Sequence, residues 1–251
     1  MKKKYSLGLV SVSFRQHKPR QILEAMKAAG LSVIEWGSDI HGPYNDLQRL
    51  NELALMQKEY GIKCSSYGTY FRLGQTPNSE LEEYMNGAKL LDTNILRLWC
   101  GTKRGADMSE KEKFELLKAC LEANEMAKKY DVKLCMECHV RTFTENPSDA
   151  VWLMETVNSP HFRMYWQPFQ WQSEKENYFN AETISPYAEH IHVFNWKGEK
   201  TLPLSDAVDE WREYLKRFDT PRTLLLEFMP NGGIDELKAE AEALRLIAGE
   251  I

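Results

Sequence analysis

The chain has no apolar run approaching the ~20 residues that span a bilayer. Its basic start, Met1 to Tyr5, leads into no hydrophobic segment of secretory length. These two absences argue against a membrane-spanning or exported protein. Cysteine is sparse: five residues, an odd number without framework spacing, which suits free thiols in a reducing compartment and not a disulfide scaffold. Surplus positive charge is missing as well. Lys and Arg total 32 against 37 Asp and Glu, a net charge of -5, so no long-range field draws nucleic acid or an anionic membrane surface. Neither Gly-x-Gly-x-x-Gly nor a Walker loop occurs, which removes the usual dinucleotide and nucleoside-triphosphate cradles. Linkers and low-complexity segments are lacking too. The expectation is one cytoplasmic domain covering residues 1–251.

What is present is a recurring unit of short apolar run and helical stretch. Strand-like runs fall at Leu7 to Ser13, Val33 to Trp36, Ile62 to Tyr67 and Ile95 to Cys100. They continue at Val132 to Cys138, Phe162 to Trp166, His190 to Phe194 and Thr223 to Phe228. Amphipathic stretches such as Gln21 to Ala29, Leu47 to Tyr60, Lys111 to Lys129 and Glu236 to Ile247 separate them. Gly30 and Gly61 stand where helices end, and Asn78 and Ser109 stand where they start, the latter with Glu112 at capping-box spacing. Alternating strands and helices imply a parallel sheet. Eight units in 251 residues close a (β/α)₈ TIM barrel, which needs about 250.

Catalytic groups of such barrels sit at the C-terminal ends of strands. The fifth run ends on Glu137 with His139 beyond it, the sixth leads to Gln167 and Gln170, the seventh carries His190 and His192, and the eighth leads to Glu227. Glu137 and Glu227 follow apolar residues, where a carboxylate is costly to bury without a cation or proton. Two carboxylates, an imidazole and an amide oxygen form a set suited to one divalent ion: Mn²⁺, Mg²⁺, Co²⁺ or Zn²⁺.

With these residues in place, the chain resembles the sugar phosphate isomerase/epimerase family with the xylose-isomerase-like barrel, which includes ketose 3-epimerases and type IV AP endonucleases. The resemblance runs through Ile34-Glu-Trp-Gly-Ser-Asp-Ile-His41, Ser66-Tyr-Gly-Thr-Tyr70, Leu96-Arg-Leu-Trp-Cys-Gly101, Glu137-Cys-His139, Tyr165-Trp-Gln-Pro168, His190-Ile-His-Val-Phe-Asn-Trp196 and Leu226-Glu-Phe228. It implies metal ligands at Glu137, Gln167, His192 and Glu227, with Glu137 and Glu227 doubling as acid and base. Gln167 replaces the family's Asp and Gln170 its nearby His, while Lys197 loosely matches a basic residue. The implied activity is isomerisation or epimerisation of a sugar, sugar phosphate or sugar acid by Glu/Glu proton transfer through a metal-bound enediolate. Homodimers are common among such relatives.

Two alternatives remain. A lyase or dehydratase would use the same carboxylate pair to expel a β-leaving group, and Gln167 and Gln170 also suit a metal-free carbohydrate-binding barrel. AP-endonuclease chemistry needs a larger cluster of His and acidic ligands than six histidines supply here. Among further contacts, Glu35 either bonds a substrate hydroxyl or pairs with Arg97. Tyr67 and Trp99 serve as apolar walls against a sugar or as core, and His139 shares the face of Glu137. Arg15 is a candidate for a phosphate or carboxylate. Cys135 to His139 matches a haem-attachment pattern, but its two thiols point to opposite faces of a strand.

Overall fold

A parallel strand followed by a crossover helix must bury both faces, one inside the barrel and one beneath the helices. The computed structural model, which describes residues 5–250, builds this arrangement eight times. Strands β1 (Ser6–Val10), β2 (Val33–Gly37), β3 (Lys63–Leu73) and β4 (Ile95–Cys100) form the first half. Strands β5 (Lys133–Glu137), β6 (Phe162–Trp166), β7 (Ala188–Val193) and β8 (Thr223–Leu226) form the second. All pairings within the barrel are parallel, β1 pairs with β8 to close it, and Trp196–Lys197 and Lys200–Thr201 form a separate antiparallel pair. Helices α1 (Pro19–Ala29), α2 (Leu47–Glu59), α3 (Leu81–Leu90), α4 (Glu110–Tyr130), α5 (Pro147–Val157), α6 (Glu174–Ile184), α7 (Val208–Leu215) and α8 (Leu237–Ala248) surround it. The basic residues Met1 to Lys4 lie outside the described residues.

The core has two layers. Val10, Val12, Ile95, Cys135, Tyr165 and Leu225 plug the barrel interior. A larger cluster, including Leu9, Trp36, Met136, Cys138 and Trp166, lies between sheet and helices. Cys135 and Cys138 therefore sit in different layers, as the strand alternation requires. Trp166 meets Trp211, Tyr214 and Phe218 edge-on, and burying each such ring contributes about 1.5–3 kcal/mol.

Gly30 ends α1 in the left-handed region, and Ser109 with Glu112 forms the capping box of α4. Asn78 does not cap a helix. Its amide donates to the Ala119 carbonyl, while Asn78–Glu80 make a 3₁₀ turn and α3 begins at Leu81. The ends of strands also shift. Residues Ser11–Phe14 are a 3₁₀ turn and not the end of β1. β3 runs six residues beyond Tyr67, broken by an irregularity before Arg72 pairs with Trp99. That extension carries Tyr70 and Arg72 to the barrel mouth.

Candidate active site

Side chains alternate across a strand, so inward residues recur every second position. On β4 this places Arg97 above Ile95, on β5 Glu137 above Cys135, and beyond β8 Glu227 above Leu225. Gln167, following β6, lies above Tyr165, and His192 of β7 lies above His190. The Glu227 amide donates to the Val193 carbonyl at 3.0 Å, which continues the ladder by one residue. The next residue, Phe228, has φ 57°, so the chain turns away at once and leaves the carboxylate facing inward.

The four expected ligands converge. His192 Nδ1 is 3.0 Å from Gln167 Oε1, 3.2 Å from Glu227 Oε2 and 3.4 Å from Glu137 Oε1. Gln167 is fixed from behind, because its Nε2 donates to the Cys138 carbonyl at 3.0 Å and so turns Oε1 inward. Donors that share one ion at about 2.0–2.2 Å stand roughly 3.0–3.4 Å apart. Glu227 Oε2 is buried with no hydrogen bond aligned on it, since the facing His192 Nδ1 is engaged by Gln167 Oε1, and this is a costly state for a carboxylate unless a cation completes it. Glu137, His192 and Glu227 thus form a buried group able to hold a divalent metal ion, and the amide of Gln167 adds a fourth donor.

Electrostatics beneath the site agree. Arg97, 3% exposed, donates from Nε to Glu35 at 2.8 Å and from Nη1 to Glu137 at 2.7 Å. Trp99 Nε1 adds a bond to the same Glu137 oxygen at 2.6 Å. Burial alone would raise the Glu35 carboxyl, but Arg97 and then His192 hold it down at about 2. Burial of Glu137 is likewise outweighed by Arg97 and His192, which keep it well below the usual carboxylate range. For His192, burial opposes the charge, yet Glu227, Glu137 and Glu35 hold its pKa well above the ordinary histidine value. Three carboxylates against the Arg97 guanidinium and a protonated His192 leave one negative charge, and a dication that took the place of the His192 proton would face two. Glu35 also faces His192 Nε2 at 3.7 Å, where it can orient the ring from behind.

Above these groups lies a cavity of about 300 Å³ walled by Trp99, Phe169, Phe194, Trp196 and Phe228. Glu137, Gln167, Glu227, His139 and Gln170 also line it. His139 leans on Trp99, with ring centres 4.8 Å apart. Of the candidate contacts, Glu35 takes the pairing with Arg97 and Tyr67 a place in the core, the second of the two readings offered for each, and Lys197 lies elsewhere. Glu35 is fully buried under the site, bonded to Arg97 and Ser66. Tyr67 points to the helix layer, since it stands in register with outward Trp36, and its hydroxyl donates to the Gly42 carbonyl. Lys197 binds Glu210 at 2.6 Å, away from the cavity. Tyr70 takes the place expected of Tyr67, and Arg15 reaches the rim but is held by Asp39 and Tyr70. The residues missed were Tyr70, Phe169, Phe194 and Phe228. For Phe169, Phe194 and Phe228 the signal was position, one to three residues past a strand end, whereas Tyr70 lies in the extension of β3.

The profile of the xylose isomerase-like TIM barrel family matches residues 23–247. The chain belongs to this family. A 3-dehydroshikimate dehydratase of Bacillus anthracis is 22% identical, with 96% of each chain covered. The crystal structure of a probable 3-DHS dehydratase involved in petrobactin synthesis, from the same organism, superposes with TM-score 0.79 at 19% identity, covering 96% of this chain and 98% of that one. The IOLI protein, solved with a binding zinc atom, gives TM-score 0.78 at 15% identity over 98% of each chain. These similarities correct the expected activity. A curated relative matched over 96% of the chain is a dehydratase, so the isomerase or epimerase reading gives way to the elimination alternative.

Proposed function

We propose that the chain is a divalent-metal-dependent dehydratase acting on a small polyhydroxylated cyclic ketone of the 3-dehydroshikimate type. The observation that carries this reading is Glu227: a buried carboxylate with one unpartnered oxygen, opposite Glu137 in a small cavity with aromatic walls. Such walls suit a flat ring whose product gains unsaturation. The full-length similarity to a dehydratase supports the same reading.

Glu137, Gln167, His192 and Glu227 would hold the ion. When bound, it would polarise the substrate carbonyl and acidify the neighbouring C–H, as Mn²⁺, Mg²⁺, Co²⁺ and Zn²⁺ can. The two glutamates differ in what surrounds them. Arg97 and Trp99 fix Glu137 and keep it ionised, which makes it a poor base and a steady anion. Glu227 is less encumbered, and its carboxylate removes the proton. The same carboxyl returns that proton to the departing hydroxyl oxygen. One C–H and one C–O bond break, a C=C bond forms, and water leaves with no net change in protonation. Phe194, Trp196 and Phe228 keep bulk water from the reacting carbons.

The test is to incubate protein loaded separately with each ion with 3-dehydroshikimate and follow formation of 3,4-dihydroxybenzoate by absorbance. Turnover in the wild type that falls about 10²–10⁴-fold in Glu227→Gln, with metal retained, is expected. Absence of product with all four ions would overturn the proposal.

A further inference from the structure

Next to the cavity with aromatic walls lies a second chamber of about 640 Å³, and His139 and Val140 belong to both. Arg72, Arg104 and Arg141 line it together with the acidic Asp107 and Glu145. Their charges are not equally spoken for. Arg104 is neutralised by Asp107, through bonds of 2.7 and 3.1 Å. Arg72 is placed but not neutralised: Nη1 donates to the Gly101 carbonyl at 3.3 Å, and the guanidinium lies 4.1 Å from the centre of the Trp99 ring. Among the described residues, no carboxylate forms an ion pair with the Arg72 or Arg141 side chain. Arg141 also adopts φ 59°, a backbone state uncommon for a side-chain-bearing residue, held by its amide donating to the Glu145 carboxylate.

Arg72 is tied to the reacting groups through one rigid plane. The indole that carries its guanidinium on one face donates from its edge to Glu137. A ligand group paired with Arg72 is therefore held at a set distance from the carboxylates. Guanidinium groups recognise carboxylate and phosphate oxygens with two parallel donors. The Arg15 of the rim cannot serve in the same way, because Asp39 already occupies it.

The geometry points to an anion-binding chamber: Arg72 and Arg141 pair with a carboxylate or phosphate carried by the substrate, while its reacting ring lies beside Glu137 and Glu227. This rests on the cyclic-ketone reading above and adds to it the residues that hold the anionic group of the substrate.

The test uses Mn²⁺-loaded protein and three probes: 3,4-dihydroxybenzoate, 3,4-dihydroxybenzamide and inorganic phosphate. Affinities are measured by calorimetry for wild type, Arg72→Gln/Arg141→Gln and, as a control, Arg104→Gln. The acid and the amide share their two ring hydroxyls, so metal contacts cancel in the comparison. At least a tenfold preference for the acid is expected in wild type and Arg104→Gln, falling below twofold in the double variant, whose fold is checked by circular dichroism. Tighter binding of dihydroxybenzoate than of phosphate assigns a carboxylate, and the reverse order a phosphate. Phosphate binding that depends on the two arginines, with no binding of either aromatic, would retain the chamber and reject the ring reading. Equal affinity for acid and amide in wild type, or a preference that survives in the double variant, would overturn the chamber even if the dehydratase reading holds. If no probe separates wild type from the double variant, the chamber proposal also falls.

Discussion

Arg97 bridges Glu35 and Glu137 where water does not reach, so its removal strands two buried carboxylates. Arg97→Met should cost about 3–5 kcal/mol in urea denaturation at pH 7, the usual penalty for breaking a buried pair by deleting one partner. Gln167 poses the opposite question. Replacing it with Asp adds a charge to the ligand set and gives up the bond to the Cys138 carbonyl. Charge dominates in a site with low solvent access, so Gln167→Asp should bind Mn²⁺ about tenfold more tightly by calorimetry. Glu137, His192 and Glu227 were legible in sequence because charged and polar residues that close apolar runs stand out. Tyr67 was not, because which face it takes depends on the register between β2 and β3, and Ile62 to Tyr67 does not encode that shift. Nor was the capture of Lys197 by Glu210, a residue on α7 thirteen positions on.

At the scale of the element, β3 shows why a glycine sits among aromatics. A Cβ on Gly68 would collide with the Glu35 carboxylate and meet Arg97 Nη2 at 2.9 Å. Gly68→Ala should therefore destabilise the protein by about 1–3 kcal/mol in thermal or urea unfolding and lower metal affinity with it. The apolar part of each strand was readable, whereas Gly68 to Leu73 mixes polar and aromatic residues and reads as a loop. Helix α8 carries a pH response. Glu240 is buried and accepts from the Leu204 amide, and burial pushes its carboxyl up to about 7 from 4.5, with the Leu204 bond opposing and Glu236 and Asp206 adding to the rise. Native protein thus favours the protonated form. Its contribution to stability is full below about pH 4.5 and is lost as pH rises through about 7. Glu240→Gln keeps an acceptor for Leu204 without the charge. It should show a higher melting temperature than wild type at pH 8 and a smaller difference at pH 5, measured by differential scanning calorimetry.

For the molecule as a whole, eight strand-helix units were enough to reveal the barrel, because periodicity and length both converge on closure. The reaction was not legible to the same degree. Two glutamates on facing strands remove a proton in isomerases and dehydratases alike, and what happens next depends on whether the substrate holds a leaving group beside the carbanion. Stability should report the ion directly. Three buried carboxylates crowd one arginine and one histidine, an excess of negative charge that favours a state that binds a dication, and ligand at 100 times its Kd stabilises by about 2.7 kcal/mol. Protein stripped with chelator should melt roughly 5–10 °C lower than protein with Mn²⁺ restored, as followed by circular dichroism.

The order in which the strands contribute charge has a temporal side. Arg97 leaves the ribosome 130 residues before Glu227. At about 5–20 residues per second, that interval lasts roughly 7–26 s. Glu35 precedes Arg97 in the chain, so the guanidinium has one of its acidic partners from the moment it emerges. Glu137 follows within seconds. The carboxylate of Glu227 arrives last, just past the strand whose pairing with β1 shuts the barrel. The full set of buried charges is thus absent from a nascent chain until the last wall of the barrel has been made.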